Sequence, residues 1–333
     1  MRQPHPVWPI LLAGIGLVLG GCAGSHVGGG RTKVIDLGPL RIDRVFRSME
    51  GPSERVRFDY SDVDWVTGFR TEVLDIQTGE RLSEEFFCHG QLQIDNQTRL
   101  LVTATGISEI AFPEGFGLPL RQILSGVPQE KRKVSLFGMV LNNHHPEMDR
   151  LTKIRIYIDY LREEDLKEPG AIKRLYKVGL PITVAVSSPG SKGNPESAGE
   201  EFHLRGTHSA HWMVPPGKQI QNKIYSHIVP VDSTVHFGVA HLHNFGVYMR
   251  LTDLTDGKLL WQTDVVNQPG RAQIAQIPAY RSGTGFPLYK DHEYEIEAMY
   301  ENLLDQPVDA MASMYLYYHP LGDERISYPD APP

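Results

Sequence analysis

This chain is poor in the features that announce common enzyme classes. It has 2 cysteines in 333 residues, too few for a disulfide framework. It has no excess of positive charge, since 33 lysines and arginines against 40 aspartates and glutamates give a net charge of −7. The basic residues are also scattered, which argues against a nucleic acid partner. The sequence lacks a Gly-rich phosphate loop, a Gly-x-Ser-x-Gly elbow and a His-Glu-x-x-His pair, so the enzyme classes built on those motifs have no support. Long helical patterns are missing too. Arg162 to Lys177 has a helical flavour, but it is polar and broken at Pro169-Gly170.

What is present begins with a short apolar run. Arg2 precedes Ile10 to Leu19, which falls short of the roughly 20 residues a membrane span needs and leads into Leu19-Gly20-Gly21-Cys22. This stretch resembles a bacterial lipoprotein signal. The resemblance implies a signal peptide at 1–21, lipidation of Cys22 and attachment to a lipid bilayer. Ala23 and Gly24 follow with no aspartate, which by the same resemblance implies the outer membrane, facing the periplasm or the surface. Residues 22–34 then read as a flexible tether. With Cys22 assigned to the leader, Cys88 stands alone in an oxidising compartment and is expected to be buried, metal-bound or reactive.

The length exceeds what one compact core usually holds, so two domains of about 150 residues each are expected. From Lys33 onward, short runs rich in Val, Ile, Tyr and Phe alternate with polar residues between turn signals. Examples are "WVTGFRTEVLDI", "KIRIYIDYL", "VHFGVAHLHNFGVYMRL" and "SMYLYYH". The pattern predicts an all-β protein of two tandem antiparallel β-sandwich (jelly-roll) domains, at 35–170 and 178–325. Ser187 to Glu201 reads as a loop by composition.

Seven of the 14 histidines fall between His203 and His243. His241 and His243, in "VAHLHNFG", are two apart, so on a strand they share a face about 6–7 Å apart, close enough to grip one ion. The plain alternative is a hydrogen-bonded surface pair. Met311 and Met314 lie in the strand-like run "DAMASMYLYY", where packing is the ordinary role. A thioether beside two imidazoles suits copper, and zinc sites rarely recruit methionine. His208 and His211, in "HLRGTHSAHWMVPPG", have a spacing that separates their faces on a regular strand. They read either as hydrogen-bonded histidines or as additional metal ligands.

"VPPG" at Val214 to Gly217, "HLHNFG" at His241 to Gly246, "AMYEN" at Ala298 to Asn302 and "DAMASMYLYY" at Asp309 to Tyr318 occur in a suggestive order. That order and spacing resemble the C-terminal domain of the copper type II, ascorbate-dependent monooxygenases. The resemblance implies copper at His241, His243 and Met311, with Met314 as the other candidate thioether, and Tyr315 lining a substrate pocket. More faintly, "EEFFCHGQLQI" puts Cys88 and His89 where the family has adjacent histidines on an electron-transfer copper. Adjacent residues on a regular strand face opposite ways, so joint ligation there needs a strand end or a bulge. The third ligand of that site would fall near Leu141, with His144 or His145 following. Val239 stands where peptide-specific members carry an arginine, which speaks against a peptidylglycine substrate. The implied function is hydroxylation of an unidentified small molecule or peptide, with one copper or two and electrons from a periplasmic donor. The other reading is a lipid-anchored copper carrier or scaffold that oxidises nothing.

Overall fold

The computed structural model describes residues 30–185 and 208–322, apart from residues 47, 49, 97, 169 and 270–272, together with residue 326. Cys22, most of the expected tether, His203 and the Ser187 to Glu201 loop lie outside the described residues.

The chain is all-β and sandwich-like, and the reason is visible strand by strand. In Arg150–Leu161, Thr152, Ile154, Ile156, Ile158 and Tyr160 are buried while Lys153, Arg155, Tyr157 and Asp159 face outward. A period of two with β-branched residues on one side is what a half-buried strand requires. Each fully buried isoleucine there contributes about 1.5–3 kcal/mol.

Four larger sheets result. From the first half of the chain come β1 (Arg31–Ile42), β2 (Ser53–Arg57), β3 (Trp65–Asp75), β4 (Phe87–Ile94) and β5 (Thr98–Ala104). They are joined by β6 (Glu109–Ala111), β7 (Val134–Val140) and β8 (Arg150–Leu161). These form one sheet in the order β1-β8-β3-β6 and a second in the order β2-β7-β4-β5. From the second half come β9 (Tyr176–Pro181), β10 (His211–Val214), β11 (Gly217–Ser226), β12 (Ser233–Leu242) and β13 (Gly246–Asp253). With them are β14 (Lys258–Asp264), β15 (Tyr280–Leu288), β16 (Glu293–Asn302) and β17 (Val308–Pro320). The third sheet runs β9-β17-β12-β15, with β10 also paired to β17, and the fourth runs β11-β16-β13-β14.

Two features depart from expectation. Arg31 to Val34, expected in the tether, are strand residues paired with Tyr160 to Tyr157 of β8. The segment with helical flavour supplies only a single 3-10 turn, Glu163–Asp165, whereas a short helix forms at Leu120–Ser125. Among the described residues no helix is long and apolar enough to cross a membrane.

Both halves use the same turn chemistry. Asp75 closes β3 by accepting the Gln77 and Thr78 N–H groups at 2.8 and 2.9 Å, and Asp253 closes β13 by accepting those of Thr255 and Asp256 at 3.0 and 3.1 Å. Gly79 and Gly257 take the left-handed φ of +73° and +64° that each turn needs.

The halves meet where strands are buried on both faces. All eight residues of β4 and the run Ala310 to Tyr318 of β17 are buried, which places the second and third sheets against one another. Tyr317 donates its hydroxyl to the Leu100 carbonyl at 3.1 Å, Lys177 donates to the Arg99 carbonyl, and the Phe112 and Tyr317 rings are 5.0 Å apart. A continuous apolar core runs through this seam.

Candidate metal centre

Pairing register decides which side chains meet at one end of the third sheet. His211 on β10 lies opposite Met311 on β17, His241 on β12 lies opposite Ser313, and the His243 N–H donates to the Met311 carbonyl at 3.2 Å. Because side chains alternate, Asp309, Met311 and Ser313 share one face of β17, with His211 and His241 on that same face. Met314 falls on the opposite face, paired with Leu180 and Ala240 inside the apolar core. Strand geometry thus separates the two methionines that the sequence left as alternatives. Tyr315 is buried in the core with the Lys177 ammonium 4.9 Å from its ring centre.

Asp309 ties the histidines together. Its carboxylate accepts from His243 Nδ1 at 2.9 Å and from His211 Nδ1 at 3.2 and 3.3 Å. Burial pushes its pKa up, but hydrogen bonds from His211 and His243 and their charge outweigh this and hold the carboxyl well below the usual carboxylate range. A carboxylate can only accept, so both Nδ1 atoms carry the proton when no ion is bound, and His243 Nε2 is hydrogen-bonded with the Ser48 hydroxyl at 3.3 Å. One ligand atom from each of His211, His243 and Asp309 lies within 4.8 Å of the others. The His211 and His243 ring centres are 5.3 Å apart, close to the roughly 5.2 Å expected when two imidazoles bind one ion at about 2.0–2.1 Å with tetrahedral angles.

Motif residues brace this triangle. Tyr300 donates its hydroxyl to the Met311 carbonyl at 2.5 Å and accepts the His243 N–H at 3.2 Å, which bolts β17 to the end of β12. Burial raises its pKa, so the phenol keeps its proton. Asn302 donates to the Val214 and Gln306 carbonyls at 3.0 and 2.8 Å and accepts the Leu304 N–H at 3.0 Å. "AMYEN" and "VPPG" are therefore coupled through a buried amide. Asn302→Ala removes three hydrogen bonds at a site only 2% exposed, and a loss of about 3 kcal/mol is expected in chemical denaturation. A loss under about 0.5 kcal/mol would show that the amide braces nothing.

His241 lies beside the triangle, its ring 5.3 Å from that of His243 and 5.1 Å from that of His89 across the seam. It is buried, and neither of its ring nitrogens has a hydrogen-bond partner among the described residues. Burial, reinforced by the charges of His89, His243, His211 and Arg99, pushes its pKa well below the ordinary value. His89 is lowered to about 3, chiefly by burial. Both rings are neutral at neutral pH.

The remaining sequence candidates are placed as follows. Cys88 is the extra residue in a bulge, because Phe87 pairs with Val140 and His89 with Met139. The bulge turns two adjacent side chains toward one another, with Cys88 Sγ 2.9 Å from His89 Nδ1. The third ligand expected at His144 or His145 takes other surroundings: His144 is exposed, and His145 Nε2 is held 3.0 Å from Glu85. His208 is a strand residue by its backbone, paired with Ala185, and its side chain lies outside the described part. Asp309 and Ser48 were missed. Asp309 lies two positions before Met311, so the period of two that paired His241 with His243 would also have found it. Ser48 carries no sequence signal.

A second group, Asp253, Asp256 and His292, also brings ligand atoms within 4.8 Å. Its Asp253 carboxylate already serves the turn after β13 and accepts from His292 Nδ1 at 2.8 Å. These bonds account for the cluster without an ion.

No family model matches this chain, and no curated protein is similar to it. Among solved structures, it is similar to recombinant N-glycanase F (PNGase F), at 11% identity over 87% of this chain and 96% of that one, with a TM-score of 0.40. It is also similar to PNGase F described as a glycosylasparaginase from Flavobacterium meningosepticum, at 10% identity over 87% and 96%, with a TM-score of 0.39. The ANXUR2 extracellular domain from Arabidopsis thaliana follows at 8% identity over 85% and 89%, with a TM-score of 0.21. Likeness of this degree carries no argument about chemistry. The expectation of a copper monooxygenase is nevertheless corrected: no family model or curated protein supports it, and the solved structures with TM-scores near 0.4 are peptide-N-glycanases, not copper monooxygenases.

Proposed function

We propose that this chain is a transition-metal-binding protein that holds copper between His211, His243 and Asp309. The observation that carries the proposal is the triangle itself: His211 and Asp309 on strands and His243 just past the end of β12, with nitrogen-to-oxygen separations of 2.9 to 3.3 Å. Ligands bound to one ion at about 2.0–2.1 Å in a tetrahedral shell are themselves about 3.3 Å apart, so an ion can replace the two Nδ1 protons with little movement. Two imidazoles and a carboxylate bind divalent ions in the order that ends with copper above zinc. Met311, opposite His211 in register and buried outside the apolar core cluster, is the candidate soft thioether for the site.

Titration of the full chain with Cu(II) and Zn(II) in competition with a chelator tests this. Copper is expected to bind more tightly than zinc. Asp309→Asn keeps the shape but removes the charge, and is expected to weaken copper about 10–100-fold or more. Met311→Leu should weaken Cu(I) more than Cu(II), since only the reduced ion gains much from sulfur. Copper affinity indifferent to Asp309→Asn would end the proposal.

A further inference from the structure

One sheet edge of this chain differs from all the others. β11 is an outer strand of the fourth sheet, paired with β16 over ten residues without a register shift. Among the described residues no strand pairs with its other side. The remaining outer strands of the four larger sheets are six residues or fewer, as in β2, β6, β9 and β10, or carry a register shift in their pairing, as in β1, β5, β14 and β15. Short and bulged edges resist pairing with another chain, whereas a long, regular edge without proline invites it. β11 also turns two aliphatic side chains to solvent on its outer face, Ile220 at 55% and Ile224 at 54% exposure. The inner face is already committed: Lys223 donates to the Thr183 hydroxyl and Tyr225 to the Pro181 carbonyl, so the strand cannot turn over to bury the isoleucines.

We infer that β11 is a dimerisation edge that pairs antiparallel with β11 of a second copy of this chain, about a two-fold axis at Asn222. The strand's own sequence chooses both the partner and the register. Residues directly opposite in an antiparallel pair share a face, and two-fold symmetry fixes which residue meets which once the centre is named. A centre at Asn222 puts Ile220 opposite Ile224 of the second copy and Ile224 opposite its Ile220, so the exposed isoleucines of both copies cover one another. A centre at Gln221 would set Ile220 against Asn222 and Ile224 against Lys218, and a centre at Lys223 would set two lysines face to face. The Asn222 register also places Lys218 beside Ser226 of the second copy, whose hydroxyl is donated to Glu293 at 3.2 Å, so a lysine approaches an acid at each end of the pair. The edge is therefore complementary to itself in apolar pattern and in charge. Pairing joins two copies of the fourth sheet into one continuous sheet. A single strand pair lies at the small end of specific interfaces, so a reversible dimer with a Kd on the order of 10–100 μM is expected. The contact uses no residue of the metal triangle, so each can fail alone.

The test is sedimentation equilibrium of the full chain from about 1 to about 300 μM, a range that spans the expected Kd, with EDTA present so that no metal bridges copies. Wild type is expected to pass from monomer to dimer and no further, because one partner uses up the edge. Ile220→Lys with Ile224→Lys sets lysine against lysine and should weaken the dimer at least about 30-fold, as should Ile220→Glu with Ile224→Glu. Mixing these two variants should restore a dimer of one with the other. Both positions are exposed, and circular dichroism confirms folding of each variant. Asn222→Cys, which faces itself across the axis, should form a disulfide between copies on mild oxidation, identified by mass spectrometry of the linked peptides. Gln221→Cys, which faces Lys223 of the second copy, should not. A monomer throughout the concentration range would overturn the inference, as would a dimer that the lysine variant leaves intact or a disulfide that forms as readily at Gln221→Cys as at Asn222→Cys. Protection of the β11 amides from hydrogen exchange in a monomer would show that another segment of the same chain covers the edge, and would overturn it too.

Discussion

The His211→Ala, His243→Ala double variant is expected to bind Cu(II) at least about 1000-fold more weakly than wild type, which corresponds to about 4 kcal/mol or more. The size of the effect follows from the ligand count. Removing both imidazoles leaves Asp309 alone on the triangle, and a single half-exposed carboxylate retains an ion no better than ordinary surface acids. The fold should survive, since each ring sits at the edge of the seam rather than in the apolar core cluster. Loss of two imidazole-to-carboxylate hydrogen bonds should cost the ion-free protein no more than a few kcal/mol. Equilibrium dialysis with metal analysis, paired with thermal denaturation, separates the two effects. Copper affinity unchanged within about threefold would remove the triangle from consideration.

The second large effect concerns stability and reverses the usual sense of a core substitution. His241→Leu is expected to stabilise the ion-free protein by about 1–3 kcal/mol at neutral pH, because it removes a buried ring whose two nitrogens have no partner among the described residues. The pH dependence identifies the cause. His241 and His89 have folded-state pKa values depressed below the ordinary histidine value. A depressed histidine leaves the unfolded chain binding more protons below about pH 6.5, so stability is full above that pH and falls as pH drops toward the folded pKa. Two such groups give a slope of about 2.7 kcal/mol per pH unit well below pH 6.5, and one gives about 1.4. Urea denaturation from pH 7 to pH 4.5 should show the steeper slope in wild type and the shallower one in His241→Leu. Equal slopes would mean that the ring is protonated and solvated in the fold.

The fold and the site were legible to different depths. Alternation along β8 and β17 marks strands without any tertiary knowledge, since a half-buried strand must repeat every two residues. The same period puts His241 and His243 on one side. What alternation cannot supply is the partner across a sheet. His211 and Asp309 are 98 positions apart and meet only because β10 pairs with β17 in one register. The Cys88 bulge is likewise a property of the pairing between β4 and β7, not of "FFCHG" itself. In the sequence alone, the motifs behind the monooxygenase resemblance point to chemistry. Tyr300, Asn302 and Val214 instead act as braces, and bracing of this kind serves any site built at that edge. The local geometry was therefore easier to read than the activity, because hydrogen bonds that hold a sheet end in place leave a sequence trace without naming a substrate.

The most direct test of copper binding at the triangle is a crystal structure of the full chain loaded with Cu(II), with anomalous difference maps recorded on both sides of the copper edge. An anomalous peak is expected within about 2.0–2.2 Å of His211 Nδ1, His243 Nδ1 and an Asp309 oxygen, each donor having exchanged its hydrogen bond for the ion. A copper peak only at Asp253, Asp256 and His292, or a triangle whose nitrogens still point at Asp309 with no peak between them, would contradict the account.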